Sequence, residues 1–555
     1  MNENQATRSG GQVLVDQLLI QGVERITCVP GESFLAALDA MVDVDIDVLI
    51  CRHEGGAAMM AEAYGKLTRK PGICFVTRGP GATNAAHGVH IAAHDSTPMI
   101  LFIGQAERGV LDREGFQEID YKQLFGGIAK WVVEIDRAER IPELIARAFR
   151  TATQGRPGPV VVSLPEDMLT EMVRCVDAPK IFPVVTAPCV DDLACLSKYL
   201  SNAKSPFVVL GGSGWDEAGY EAIHDFATRF QLAVATSFRR THLFNAYHPS
   251  FAGDLGFGIN PALAKRVKES DLVILIGARL SEVPSSSYTL LDIPKPNQTL
   301  VHVYPDPDEL GRVYQPDLAI VAASNAMAKA FRDLAPPLNI PWKDQTKKAH
   351  QEYLEWTETP KAVPGPFQYG EVIVWLRERM QRDTIVCNGA GNYAIWVHRY
   401  WRHQALGTQL APTSGSVGYS VPVGVMAKRQ FPDKPVVVFS GDGCFLMQGQ
   451  EFAVAVQYGI PVIIVVIDNG MYGTIRMHQE RDYPNRVIGT DLKNPDFAAL
   501  ARAFGGHGET VRETKEFEPA FERALACGKP AILHCLLDPQ AITPTKTLDQ
   551  ITRGE

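Results

Sequence analysis

The chain has 555 residues, of which 46% are hydrophobic and 21% charged, and a formal net charge of −9. That length accommodates three domains of ordinary size, and the composition is that of a globular protein in water. No basic block longer than a few residues appears, which excludes nucleic acid and acidic membranes as expected partners. The ten cysteines form no CxxC pair. Cys28, Cys51, Cys74 and Cys535 stand beside apolar, strand-like runs, as reduced core residues do. The amino-terminal MNENQATRSGG has no apolar leader, and no run approaches the roughly 18 apolar residues of a membrane span. A cytoplasmic location is expected.

In chain order, the first domain is expected over residues 1–165. Residues 46–50 are mostly apolar and lead into Cys51-Arg52-His53-Glu54, followed by a helix of small residues that runs toward Gly65. Taken alone, Glu54 reads as an acid favoured by the helix dipole. Thr77-Arg78-Gly79-Pro80-Gly81-Ala82-Thr83-Asn84 is a glycine-rich loop, and Phe116-Gln117-Glu118 reads as one core and one surface residue. A strand at 160–163 ends in a turn at Pro165-Glu166-Asp167. A Pro-rich link at 179–188 precedes a second α/β domain, 190–335, with strands at 207–210, 232–236, 272–276 and 300–303. There Gly211-Gly212-Ser213-Gly214 lacks the complete GxGxxG spacing and is a weak nucleotide signal, and Arg239-Arg240 reads as an exposed basic pair. A charged linker at 336–366 leads to a third domain, 366–545, with strands at 384–387, 436–439, 462–467 and 531–535. The expected fold class is α/β, with three doubly wound parallel-sheet domains.

The third domain carries the most informative stretch. Residues 436–440 form an apolar run, and Gly441-Asp442-Gly443 is a turn of small residues that lets backbone N–H groups approach an anion. A helix with Gln448, Gln450 and Glu451 beside the apolar Phe452, Val454, Ala455 and Val456 closes at Gly459-Ile460-Pro461. Residues 462–467 are wholly β-branched, as in a parallel strand buried on both faces. A right-handed βαβ crossover brings the ends of both strands to one sheet edge, so Asp442 and Asn469 are expected to be neighbours although 27 positions apart. Both offer hard oxygen, and Mg²⁺ is usually held by one or two such side chains plus phosphate oxygens.

This arrangement resembles the thiamine-diphosphate (ThDP) binding motif, GDG followed by about two dozen residues and an asparagine pair. Here 24 residues separate Gly443 from Asp468, and Asp468 replaces the first asparagine. The resemblance implies Mg²⁺ held by Asp442, Asn469, the main-chain carbonyl of Met471 and two diphosphate oxygens. The segment 51–65 and the loop 77–84 resemble the pyrimidine half of such a site, with Glu54 as the catalytic glutamate. A carboxyl group at the cofactor's N1′ favours the imino tautomer, which takes the C2 proton and leaves an ylid, so the Glu54 environment should be shielded and its pKa tuned.

Pyrimidine, middle and diphosphate domains in that order resemble the acetohydroxyacid synthase, pyruvate decarboxylase and benzaldehyde lyase group over essentially the whole chain. In that group the pyrimidine domain of one subunit faces the diphosphate domain of another. A homodimer is therefore the minimum active unit, with a tetramer left open. The resemblance further assigns cofactor contacts to Pro80, Asn84, Ala390, Gly391, Asn392 and Tyr393. It adds Gly415 and Val417 beside the pyrimidine, then Gly443, Cys444, Tyr472, Gly473 and Thr474. Gln117, in the FQE triplet, reaches toward the reaction centre, and of His53, His94 and His478 the last has the best claim to a catalytic role.

Two departures bear on substrate. Where acetohydroxyacid synthases carry an arginine for the second substrate's carboxylate, the stretch Arg279-Leu280-Ser281-Glu282-Val283 ends in valine. Where they carry a pocket tryptophan, this chain has His478. The expectation is a ThDP- and Mg²⁺-dependent lyase or carboligase acting on a small 2-oxo acid or related carbonyl compound, without true acetohydroxyacid synthase activity and without FAD. An acyl-CoA lyase or decarboxylase of the oxalyl-CoA type and a non-catalytic relative are the alternatives.

Overall fold

Three six-stranded parallel sheets flanked by helices organise the computed structural model, which describes residues 6–555. The first sheet comprises β1 (Arg25–Cys28), β2 (Asp47–Ile50), β3 (Gly72–Val76), β4 (Met99–Gln105), β5 (Trp131–Glu134) and β6 (Pro159–Pro165), in the order β2-β1-β3-β4-β6-β5. The middle sheet comprises β7 (Pro206–Leu210), β8 (Ala233–Ser237), β9 (Phe251–Leu255), β10 (Leu272–Ile276), β11 (Thr299–Tyr304) and β12 (Leu318–Val321), in the order β9-β8-β7-β10-β11-β12. The third comprises β13 (Ile385–Asn388), β14 (Gln409–Leu410), β15 (Val436–Gly441), β16 (Ile463–Asp468), β17 (His507–Val511) and β18 (Ala531–Leu536). Its order, β14-β13-β15-β16-β18-β17, repeats that of the first sheet.

Central strands are apolar because both their faces are covered: every residue of β3, β4, β6 and β15 is buried. In the first sheet the Phe75 and Phe102 rings stack with centroids 4.6 Å apart. Strand order reverses between β1 and β3 and between β13 and β15. At such switch points successive crossovers leave on opposite sides and a crevice opens at the carboxyl ends of the strands. Met1–Val184, Val425–Gln430 and Gln448–Tyr458 form one compact unit, which holds the first sheet. Val185–Gly424, Phe431–Met447 and Gly459–Glu555 form another, which holds the middle and third sheets.

The stretch 336–366 is not a plain linker. It contains the helix Lys343–Glu358, whose Thr346, Ala349, Tyr353 and Thr357 are buried at helical spacing while its charges face outward. Trp342, just before it, is fully enclosed and donates its indole N–H to the Phe230 carbonyl. The turn expected at 165–167 is the start of a short helix, Glu166–Thr170. Among the described residues no helix is long and apolar enough to cross a membrane. The first five residues of the stretch expected to lack an apolar leader lie outside the described residues.

Candidate active site

β15 ends at Gly441, and a helix, Asp442–Gln448, begins at the next residue. The Gly-Asp-Gly is thus a strand-to-helix junction rather than a free turn, and Asp442 is buried at it. A side chain on Gly443 would begin 2.6 Å from the Tyr472 ring, so only glycine lets that ring close over the junction. β15 pairs with β16, Gly441 opposite Ile467, which brings Asp442 and the Asp468-Asn469-Gly470 turn together. Asp442 Oδ1 accepts from the Gly443 N–H at 2.9 Å, and its Oδ2 accepts from the Gly470 N–H at 3.0 Å and from the Asn494 amide at 2.8 Å. Gly470 has φ +68°, a left-handed conformation suited to glycine, and its N–H also reaches Asp468 Oδ1 at 3.0 Å.

Asp442, Asn469 and Met471 line one cavity of about 300 Å³. Ala390, Gly391, Asn392 and Tyr393, the loop after β13, form another part of its wall, and Gly415 and Val417 another. Gly443, Cys444, Tyr472, Gly473 and Thr474 complete the predicted set in this unit. The Asn392 amide donates to the Ile542 carbonyl at 3.0 Å while its oxygen accepts from the Thr474 hydroxyl at 2.9 Å. Burial pushes the Tyr393 phenol well up. It therefore stays protonated and donates to Cys444 Sγ at 3.4 Å, which also accepts the Gly418 N–H at 3.2 Å.

The donor set fits a hard cation. A carboxylate, an amide oxygen and the Met471 carbonyl, which accepts the Gly473 N–H at 2.9 Å and keeps a second lone pair, are the ligands Mg²⁺ prefers. Among the described residues no group of three His, Cys, Asp or Glu side chains is placed to hold a metal. Beside nucleotides and diphosphates Mg²⁺ commonly completes such a set with phosphate oxygens.

Burial raises the Asp442 carboxyl, and the neighbouring Asp468 charge adds to the rise. Burial opposes the Asp468 charge as well, but hydrogen bonds from His534, Asn494 and Gly470 outweigh it and hold that group below the usual carboxylate range.

In the other unit, Glu54 is the first residue of the helix Glu54–Thr68 and is half-buried, not enclosed. Its Oε2 accepts from the Asn84 amide at 2.9 Å, and its Oε1 lies 3.4 Å from where a side chain on Gly81 would begin. Pro80 and Asn84 lie on the helix Gly79–Asp95, near its start. Gln117, at φ +61°, packs its backbone against Gly79, so the structure gathers Glu54, Pro80, Asn84 and Gln117. Phe116 is not core. It is 71% exposed, with the Arg78 guanidinium 5.9 Å from its ring centre. His53 caps the helix by accepting the Gly55 N–H at 3.0 Å.

A further expectation fails on geometry. Arg239 and Arg240 are buried: Arg239 donates to the Pro412 carbonyl, and Arg240 donates to the Gly212 carbonyl at 2.9 Å. Glu451, in the turn that follows the helix Asp442–Gln448, is completely enclosed and accepts the Arg52 N–H at 3.1 and 3.2 Å. His478 lies on the helix Gly473–Asp482, whose first residues line the cavity.

Asn494, His534 and Glu451 were missed by sequence reasoning. Asn494 stands in Asn-Pro-Asp, a common turn signal. His534 is a lone polar residue in the buried strand β18, and such a residue demands a partner, here Asp468 at 2.8 Å. Leu537, Ala541 and Ile542 add a carboxyl-terminal wall to the cavity.

Three family descriptions match the chain. "Thiamine pyrophosphate enzyme, N-terminal TPP binding domain" covers residues 8–124, the central domain of that family covers 193–331, and its C-terminal TPP binding domain covers 389–535. The acetolactate synthase isozyme 2 large subunit of Escherichia coli (strain K12) is 30% identical over 540 residues, 96% of each chain. The acetolactate synthase large subunit of Parasynechococcus marenigrum (strain WH8102) is 29% identical over 95% of this chain and 87% of its own. A putative thiamine pyrophosphate-containing protein, YdaP of Bacillus subtilis (strain 168), is 28% identical over 99% of this chain and 94% of its own.

Proposed function

We propose that this chain, which belongs to the thiamine pyrophosphate enzymes and within them to the acetolactate synthase-like group, binds thiamine diphosphate through Mg²⁺ and makes or breaks a carbon–carbon bond beside the carbonyl of a 2-oxo acid or related small molecule. The observation that carries this reading is the convergence of Asp442, Asn469 and Met471 on one cavity with Asn392, Gly443 and Thr474. Asp442, Asn469 and the Met471 carbonyl hold the cation. Gly391, Asn392, Gly443, Cys444, Gly473 and Thr474 surround the diphosphate, while Gly415 and Val417 flank the ring system. When bound, the cofactor supplies a carbon nucleophile at its thiazolium C2. Glu54, oriented by Asn84, holds a proton toward the pyrimidine N1′, and Gln117 presents an amide to the reacting carbonyl.

Glu54 is half-buried within its own chain, and a second subunit completes its enclosure, so the working form is at least a homodimer. FAD has no part in this reading, because the loop 211–214 lacks a full dinucleotide fingerprint and Arg239 and Arg240 beside it are engaged with main-chain carbonyls. The chain works in the cytoplasm on a small molecule and binds neither nucleic acid nor a membrane.

The cation is tested by titrating ThDP with and without Mg²⁺. Asp442→Ala is expected to abolish the Mg²⁺-dependent gain in affinity, and wild-type affinity in that variant would place the metal elsewhere. Specificity is tested by product analysis. A bidentate arginine contact is among the stronger polar interactions a site can offer a carboxylate, and position 283 is valine. Pyruvate alone is expected to give little acetolactate, with aldehydes, ketones or water the better acceptors. Rapid acetolactate formation without an added acceptor overturns that part.

A further inference from the structure

Asp442 and Asp468 follow or end adjacent strands, and each offers an oxygen to the same two donors. The Asn494 amide nitrogen donates to Asp442 Oδ2 at 2.8 Å and to Asp468 Oδ1 at 2.8 Å. The Gly470 N–H reaches the same two oxygens, each at 3.0 Å. A side-chain amide has two hydrogens, and both are used here. Its orientation is forced, because the alternative would turn the amide oxygen onto two carboxylates. That oxygen, Asn494 Oδ1, is buried and has no hydrogen-bond partner among the described residues, an expense accepted to keep the nitrogen facing the acids. The second oxygen of Asp468 is taken by His534 Nε2 at 2.8 Å, with Asp496 3.8 Å from the other ring nitrogen.

We propose that Asn494 is a positioning residue for Asp442 in cation binding, and that Asp468, held by His534, is its anchor. Two adjacent carboxylates repel and would splay apart. The shared amide fixes their separation and occupies Asp442 Oδ2, leaving Oδ1, which accepts the neighbouring Gly443 N–H, to face a cation. An aspartate at 468, where the related motif has asparagine, is compatible with this because His534 and Asn494 supply the donors that its second carboxylate needs. The proposal rests on the reading of Asp442 as the cation ligand.

The test is isothermal titration of Mg²⁺ into the full-length apoprotein with saturating ThDP, with circular dichroism confirming the fold of each variant. Residues that orient a metal ligand typically carry about 10–100-fold in metal affinity. Asn494→Ala is expected to weaken Mg²⁺ binding by that order, and Asn494→Asp by more, since it places a third carboxylate against the other two. The double variant Asn494→Asp, Asp468→Asn restores one amide between two acids and is expected to recover affinity relative to Asn494→Asp. A purely structural role for Asn494 would not give that rescue. Wild-type Mg²⁺ affinity in Asn494→Ala, or a double variant no better than Asn494→Asp, overturns the proposal. Asp442→Ala, run alongside, separates the two readings: if it binds Mg²⁺ like the wild type, the ligand assignment itself has failed.

Discussion

Glu54 takes the Asn84 amide on one oxygen and leaves the other 3.4 Å from where a side chain on Gly81 would begin. Replacing the acid by its amide keeps this shape but removes the exchangeable carboxyl proton. Glu54→Gln is therefore expected to retain the fold and ThDP while slowing exchange of the cofactor's C2 hydrogen by about 10²–10⁴-fold, the usual contribution of a positioned acid or base. Deuterium exchange followed by NMR measures it, and an unchanged rate refutes the assignment. Asp442, Asn469 and Asn84 stand out in the sequence because each lies among glycines just beyond an apolar run, and the strand pairing that brings Asp442 beside the Asn469 turn follows from those runs. Asn494 and His534 do not, because their meaning lies in a contact: His534 is 66 positions from Asp468, and nothing local marks the pair. Phe116 misled for a related reason. An aromatic side chain defaults to the core, and this one stands out from a loop held by the Glu118 carboxylate, which accepts the Asp112 and Gly115 N–H groups.

Among elements, the strands that escaped the apolar-run reading in the middle and third sheets are β9, β12, β14 and β17, and all four are edges. An edge strand is covered less completely and need not be continuously apolar, as the half-exposed β12 and β17 show. The short 3₁₀ turn Gly449–Glu451 hid its role in the same way. It interrupts the helical run between Gln448 and Phe452 and turns Glu451 inward, under the amides of Arg52 and His53, just ahead of the Glu54 helix.

Burial pushes the Glu451 carboxyl up to about 7 from an ordinary value of 4.5, against the pull of those amides. Because the folded pKa is the higher one, the folded state binds more protons between those two values, and this group's contribution to stability falls as pH rises through that window. At 1.36 kcal/mol per unit the loss amounts to roughly 3 kcal/mol. Glu451→Gln, which can still accept the Arg52 N–H, is expected to remove that dependence. The wild type should lose stability relative to the variant between pH 5 and 7.5, as read by urea unfolding midpoints. A difference that does not change with pH would mean that Glu451 is ionised in the fold throughout.

At the scale of the whole molecule, the first and third sheets share one strand order, and each opens a crevice at its own switch point. Glu54, Asn84 and Gln117 belong to the unit of the first sheet, and Asp442, Asn469 and Met471 line the cavity of the other unit; under the proposed function each set is one half of a working site. If each working site pairs the Glu54 half of one subunit with the Asp442 half of its partner, defects in different halves complement between chains. In a mixed dimer of Glu54→Gln and Asp442→Ala subunits, one site receives both substitutions. The other receives neither. Random pairing of equal amounts makes half of the dimers mixed, so co-expression is expected to restore about a quarter of wild-type turnover although each variant alone is nearly inactive. Were both halves of a site drawn from one chain, every site in the mixture would carry a defect and no turnover would return. Dimers of known composition, isolated with two different affinity tags, make the comparison quantitative: one active site per mixed dimer supports the shared arrangement, and none excludes it.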